Sequence, residues 1–119
     1  MLNPEVAKPN GGQADLAPIF AALGDRTRLS LLIKLSDGDA RSIAKLSTDT
    51  LLTRQAITKH LRVLESAGLV ASLRVGRESR FAGRRETIDE ARAYLDRVSG
   101  HWDDALARLR TFVEDEPAG

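Results

Sequence analysis

A mainly helical domain carrying one small β-hairpin is the fold class that three features of the sequence predict together. The first is an amphipathic stretch from Thr53 to Ala67. There Ile57, Leu61 and Leu64 form an apolar stripe flanked by Ala56, Val63 and Ala67, with Arg54, Gln55, Thr58, Lys59, Arg62 and Ser66 on the other side. The second is a change of texture after Gly68, where Leu69 to Val75 and Glu78 to Ala82 read as two strands around a Gly76-Arg77 turn. The third is a seven-residue recurrence of apolar positions between Ile88 and Phe112, which specifies one long final helix. A short helix joined tightly to an amphipathic one is a helix-turn-helix, and a hairpin directly behind it makes the winged form.

The N-terminal residues 1–14 hold Pro4, Pro9 and Gly11-Gly12 with little to bury, and read as a disordered tail. Asp15 is placed to cap a short helix ending at Leu23, with Ile19, Phe20 and Leu23 apolar and Gly24 as its stop. Asp25 caps a second helix, Arg26 to Ser36, for which Leu29, Leu32, Ile33 and Leu35 are the expected buried face, and Asp37-Gly38-Asp39 is a turn. Ser42 opens a third helix with Ile43, Ala44 and Leu46 turned inward; 48–52 is a linker, and Thr53 caps the amphipathic helix that Gly68 ends. In the hairpin Phe81 faces inward, and Arg74, Arg77 and Arg80 lie on or near the tip.

Thr87-Ile88-Asp89-Glu90 has the form of a capping box for the last helix. From there Ile88, Leu95, Trp102 and Leu109 recur every seven residues, with Ala91, Val98, Ala105 and Phe112 interleaved and Leu106 and Val113 widening the stripe. Gly100 interrupts this pattern at a cost of about 1 kcal/mol in a helix interior. A seam of this length is expected to pair with its copy in a dimer, with Trp102 as an interface core residue. The domain therefore spans 15–115, and 116–119 is a flexible end.

The 119 residues suit one domain with a modest core, and 42% apolar with 29% charged residues fit a globular chain. Cysteine is absent, which removes disulfides, thiolate metal sites and thiol redox chemistry. The longest apolar run, Leu16 to Leu23, contains Pro18 and is too short to span a membrane, and no signal peptide is visible. A cytoplasmic protein with no membrane partner is expected. The net charge of +1 conceals a division: 53–85 carries eight basic residues against two acidic, whereas 86–119 carries four against nine. The basic block coincides with the amphipathic helix and the hairpin, which points to phosphate and groove contacts on double-stranded DNA.

The runs ALGDRTRLSLLIKLSDG, SIAKLSTDTLLTRQAITKHLRVLESAGLV and RVGRESRF closely resemble the ArsR/SmtB family of bacterial winged-helix repressors, over Ala17 to about Phe112. The most specific part is Ala56 to Leu61 followed by Leu64-Glu65 and Ala67 to Val70, with Thr58 where the family commonly has Ser. The resemblance implies a homodimer joined through the first and last helices, with the Thr53 helix in the major groove and repression by exclusion of polymerase. On that pattern Leu16, Ile19 and Phe20 join Leu95, Val98, Trp102, Ala105, Leu106 and Leu109 at the dimer interface. Family members that sense thiophilic metals carry cysteines near the start of the helix-turn-helix, and Ile43 to Leu52 has none.

Two such helices in successive major grooves imply a near-palindromic operator with half-sites about 34 Å apart. Gln55 and Thr58 are the candidates for base edges; Arg54, Lys59 and Arg62 for phosphates, or a guanine in the case of Arg54. Ser42 and Thr53 offer helix-start groups to phosphates, Arg74, Arg77 and Arg80 serve the wing, and His60 is a packing residue with a phosphate contact. No cofactor is expected, and no Gly-x-Ser-x-Gly, phosphate loop or His-rich zinc motif suggests an enzyme. Two other readings stand beside DNA repression. One is a metal-responsive repressor using His101 with Asp96, Asp103 and Asp104 across a two-fold axis. The other is a winged-helix module whose basic face binds an acidic protein. The releasing signal, whether a small organic effector, a partner protein or none, is not written in the sequence.

Overall fold

Ile57, Leu61 and Leu64 are fully buried, as their spacing predicts, and the other elements assemble around them. The computed structural model describes residues 15–115; the predicted tails, 1–14 and 116–119, lie outside the described residues. In chain order the elements are α1 (Ala17–Leu23), α2 (Arg26–Lys34), β1 (Arg41–Ser42), α3 (Ile43–Leu46), α4 (Arg54–Ser66), β2 (Val70–Val75), β3 (Glu78–Gly83) and α5 (Arg85–Glu114). The arrangement is a winged helix-turn-helix: α3 and α4 form the motif, and β2 and β3 the wing. Leu31, Leu35, Leu46, Leu69, Val70 and Phe81 complete a core that draws on every layer. Among the described residues, no helix is long and apolar enough to cross a membrane.

Each end of α4 has a mechanism. Thr53 adopts extended backbone (φ −70°, ψ 159°) and its Oγ1 accepts the Ala56 N–H at 3.1 Å, satisfying one of the unpaired amides of the first turn. At the other end Gly68 has φ +78°, the Gly68 N–H donates to the Glu65 carbonyl and the Leu69 N–H to the Leu64 carbonyl, both at 2.9 Å. That is a Schellman stop, sealed by the buried pair Leu64 and Leu69. The chain leaves it directly into β2, which pairs antiparallel with β3 from Val70↔Gly83 to Val75↔Glu78. Gly76 takes φ +64° in the two-residue turn, the conformation that the first position of a type II′ turn requires.

Four local expectations are corrected. The sheet has a third strand, β1, whose Arg41 and Ser42 pair with Phe81 and Arg80, giving the order β1-β3-β2. Two residues are too few for a periodic signal. In α2, capped by Asp25 as expected, the buried residues are Leu31 and Leu35, whereas Leu29 and Ile33 are 44% and 72% exposed and Leu32 is half-buried. This helix is apolar nearly all round between Leu29 and Leu35, so periodicity cannot choose a face. Asp15 accepts the Ala17 N–H but stands one residue before the cap position, which Leu16 occupies.

The capping box of α5 does not form either. The helix starts at Arg85, three residues before Ile88, and the buried Thr87 turns its hydroxyl inward to donate to the Gly68 carbonyl at 2.5 Å. Thr87 thus clamps α5 to the end of α4. Helix α5 continues unbroken through Gly100, whose missing Cβ faces open space. At 1.5 Å per residue its length is about 45 Å.

Candidate nucleic-acid interface

With Ile57, Leu61 and Leu64 committed to the core, helical geometry turns Arg54, Gln55, Lys59 and Arg62 outward, and all four are exposed. A shallow groove of about 640 Å³ runs along this face, between the start of α3 and the turn end of the wing. Ser42 and Ala44 form one wall, Arg54, Gln55, Thr58 and Lys59 the other. Glu78 and Ser79 close it on the wing side. The candidate base readers and the start of α3 therefore share one surface. The hydroxyls of Ser42 and Thr53 each accept a helix-start N–H, Lys45 at 3.1 Å and Ala56 at 3.1 Å, and each keeps its own proton for a phosphate oxygen.

The structure qualifies three of the residues. Thr58 is half-buried and donates to the Arg54 carbonyl at 2.7 Å, so toward a base it presents lone pairs and a methyl group. Arg62 pairs with Glu65 at 2.8 Å and lies 5.6 Å from the Phe81 ring centre, a cation–π arrangement. Glu65 also accepts from the Ser72 hydroxyl at 2.6 Å; that bond, and then Arg62, hold its carboxyl below the usual range. An Arg62 phosphate contact thus competes with an existing pair. Arg80 stands beside Ser42 rather than at the wing tip and pairs with Glu78 at 3.0 Å.

His60 packs within the protomer. It lies on the side of α4 away from the groove, with Nδ1 at 3.3 Å from Arg28 Nη1 and 3.7 Å from Asp25 Oδ2. Arg28 in turn donates through Nε to the Ala22 carbonyl at 2.7 Å. His60 therefore ties α4 to the α1–α2 corner. The Arg28 N–H hydrogen bond is the main cause of the lowered Asp25 pKa, with Arg28 and His60 charge adding to it.

Arg74 and Arg77 are exposed near the hairpin turn, Arg74 opposite Ser79 and Arg77 in the turn itself. Sequence reasoning missed Lys45, which shares a small hollow of about 290 Å³ with Ser42 and Arg80. Its one signal was a cation three residues after a helix cap.

Of the residues expected at a dimer interface, Ile19 is 4% exposed and belongs to the protomer's own core, because α1 packs that face onto α2 and α4. Leu16 and Phe20 are half-buried at its edge, with the Phe20 ring 5.7 Å from Tyr94 of α5. Val98 and Ala105 are half-buried, whereas Leu95, Trp102, Leu106 and Leu109 are between 53% and 64% exposed. An apolar strip this long is uncovered within one protomer. His101 is exposed on α5, and among the described residues no three His, Asp or Glu side chains of one protomer converge on a metal-sized site.

Residues 25–72 match the family described as bacterial regulatory protein, arsR family. An uncharacterized HTH-type transcriptional regulator of Bacillus subtilis, YuzN, is 48% identical over 65 residues, which are 50% of this chain and 71% of that protein. Among solved structures, an ArsR-like transcriptional regulator from Rhodococcus sp. RHA1 superposes with a TM-score of 0.72 at 39% identity, covering 82% of this chain and 91% of that one. A homodimeric winged helix-turn-helix DNA-binding domain from Mycobacterium bovis, solved by solution NMR, matches at 27% identity with a TM-score of 0.56, over 82% and 94% of the two chains.

Proposed function

The chain belongs to the arsR family of bacterial regulatory proteins, and on that premise we propose that this transcriptional regulator is a dimeric repressor of a near-palindromic operator. The observation that carries the reading is the groove in which Arg54, Gln55, Thr58 and Lys59 of α4 converge with Ser42 of α3, closed on the wing side by Glu78 and Ser79. Cations on an outward helix face supply the salt-dependent affinity, and Gln55 supplies a bidentate partner for adenine. The uncovered strip on α5 supplies the second half: it pairs with its copy and sets two α4 helices about 34 Å apart. The homodimeric Mycobacterium bovis relative supports that assembly. Occupying the operator excludes polymerase. With no cysteine in the chain, release does not run through a thiolate-bound metal.

The test is a titration of the purified protein against labelled DNA from upstream of its own gene at several salt concentrations. Competitor-resistant binding of one dimer with a log–log salt slope of about −5 to −9, as for 6–10 phosphate contacts, is expected. Weak binding that is equal on any DNA would overturn it and favour the basic face as a dock for an acidic protein. Stoichiometric metal on His101 by elemental analysis would instead show control by metal across the two-fold axis.

A further inference from the structure

A second concavity lies outside the groove described above, between α2 and the first two turns of α5. Its volume is about 540 Å³, within the roughly 300–1,000 Å³ typical of sites for small organic ligands. Leu29, Leu32 and Ile33 line it from α2, and Arg85, Ile88 and Arg92 from α5. The Asp37-Gly38 turn closes one end. Gly83 seals the base: a Cβ there would lie 2.9 Å from the Leu35 carbonyl oxygen, so strand and helix already touch.

The lining is apolar below and cationic above. Leu29, Ile33 and Ile88 are 44%, 72% and 36% exposed; single exposed apolar residues are ordinary, but three facing one hollow are not. At the rim, Arg84 is engaged by Glu86 at 2.8 Å, whereas Arg85 meets Asp89 only at 3.7 Å. Arg92, one turn beyond Ile88 on the same face, makes no hydrogen bond or ion pair among the described residues. The other rim carboxylate, Asp37, is already taken by both nitrogens of the Arg41 guanidinium, at 2.8 and 2.5 Å. The charge left free at the rim is positive.

We infer that this cleft binds an amphipathic organic acid, an alkyl or aryl body seated on Leu29, Ile33 and Ile88 with its carboxylate or sulfonate on Arg92 and Arg85. Guanidinium is suited to the planar bidentate recognition of such a group. One wall is the helix that supports the helix-turn-helix and the other is the helix that carries the dimer strip. A ligand between them alters the angle at which two α4 helices are presented, and so operator affinity, with reciprocal coupling. This last step rests on the reading of the chain as a dimeric DNA-binding regulator.

Calorimetry on the full chain without DNA tests the site, using octanoate, phenylacetate and anilinonaphthalene sulfonate, with octanol and octylamine as uncharged and cationic counterparts. Saturation by at least one of the three acids below about 1 mM is expected, with octanol and octylamine at least about tenfold weaker. Arg92→Met weakens the acid by about tenfold, the value of a charge-assisted hydrogen bond, while Arg110→Met on the same helix leaves it unchanged. No saturable binding, equal binding of octylamine, or indifference to Arg92→Met overturns the site. Because the chain has no cysteine, Ile33→Cys creates a unique thiol. It reacts freely with a disulfide reagent and is protected by the acid; protection without ligand would show that a second copy or the N-terminal residues fill the cleft, and would overturn the proposal. Binding of acid by a chain that ignores its operator would sink the regulator reading alone, and operator binding unchanged by saturating acid would sink the coupling alone.

Discussion

Replacing Arg77 by alanine separates the wing from the recognition helix. Arg77 occupies the exposed turn that Val75 and Glu78 close, where Gly76 carries the positive φ, so its loss costs the fold no more than about 0.5 kcal/mol. If each wing neutralises one phosphate, a dimer loses two contacts, and the salt slope becomes shallower by about 1.8. Between 50 and 200 mM salt the wild type then loses about twelvefold more affinity than the variant, on every DNA sequence alike. Fluorescence anisotropy on operator and scrambled duplexes at three salt concentrations measures this directly. Gln55→Ala is the matched contrast. It leaves the slope unchanged and lowers discrimination at one symmetric base pair, by about 1–3 kcal/mol per half-site. An Arg77→Ala slope equal to wild type would refute a phosphate role for the wing, however much the affinity fell.

Other consequences concern the frame. Thr53→Ala removes the cap bond to Ala56 and should lower unfolding stability by about 1 kcal/mol in urea titrations, with Thr53→Ser near wild type. Thr87→Val leaves the Gly68 carbonyl unpaired at a buried junction; a loss of about 1–3 kcal/mol is expected, and no change would mean that water replaces the bond. Glutamate at both Leu106 and Leu109 should convert the dimer to a folded monomer in sedimentation equilibrium; a persistent dimer would place the interface elsewhere on the molecule. Glu65 has a lowered pKa in the fold, so its contribution is complete above its ordinary value of about 4.5 and is lost as pH falls through the lower folded value. Glu65→Gln should therefore flatten the fall in melting temperature between about pH 5 and 3, and parallel curves would exclude this pair as the cause.

Local chemistry was legible wherever a residue acts on its own helix or turn. Thr53 and Ser42 cap as expected, Gly68 and Gly76 take the positive φ their positions demand, and the stripe Ile57-Leu61-Leu64 is the core face of α4. These follow from period and backbone sterics within a few residues, so sequence suffices. The outward face of α4, and with it most of the candidate groove, came with them.

What required the tertiary structure were choices among locally equivalent options. Helix α2 offers several apolar faces, and packing against its neighbours selected Leu31 and Leu35, leaving Leu29 and Ile33 to line a cleft. Thr87 matched a capping signature, yet the half-buried Gly68 carbonyl nineteen residues away claimed its hydroxyl. His60 reads as a packing residue from sequence, but its partners, Arg28 and Asp25 across the helix junction, were fixed only by the fold. By itself the sequence determined the class of fold, the basic recognition face and the apolar strip of α5, because periodicity and charge are carried along the chain. Which side chains are consumed inside the protomer and which remain free was decided only in three dimensions, because an unpaired buried group or an unfilled face costs free energy that partners distant in sequence must offset.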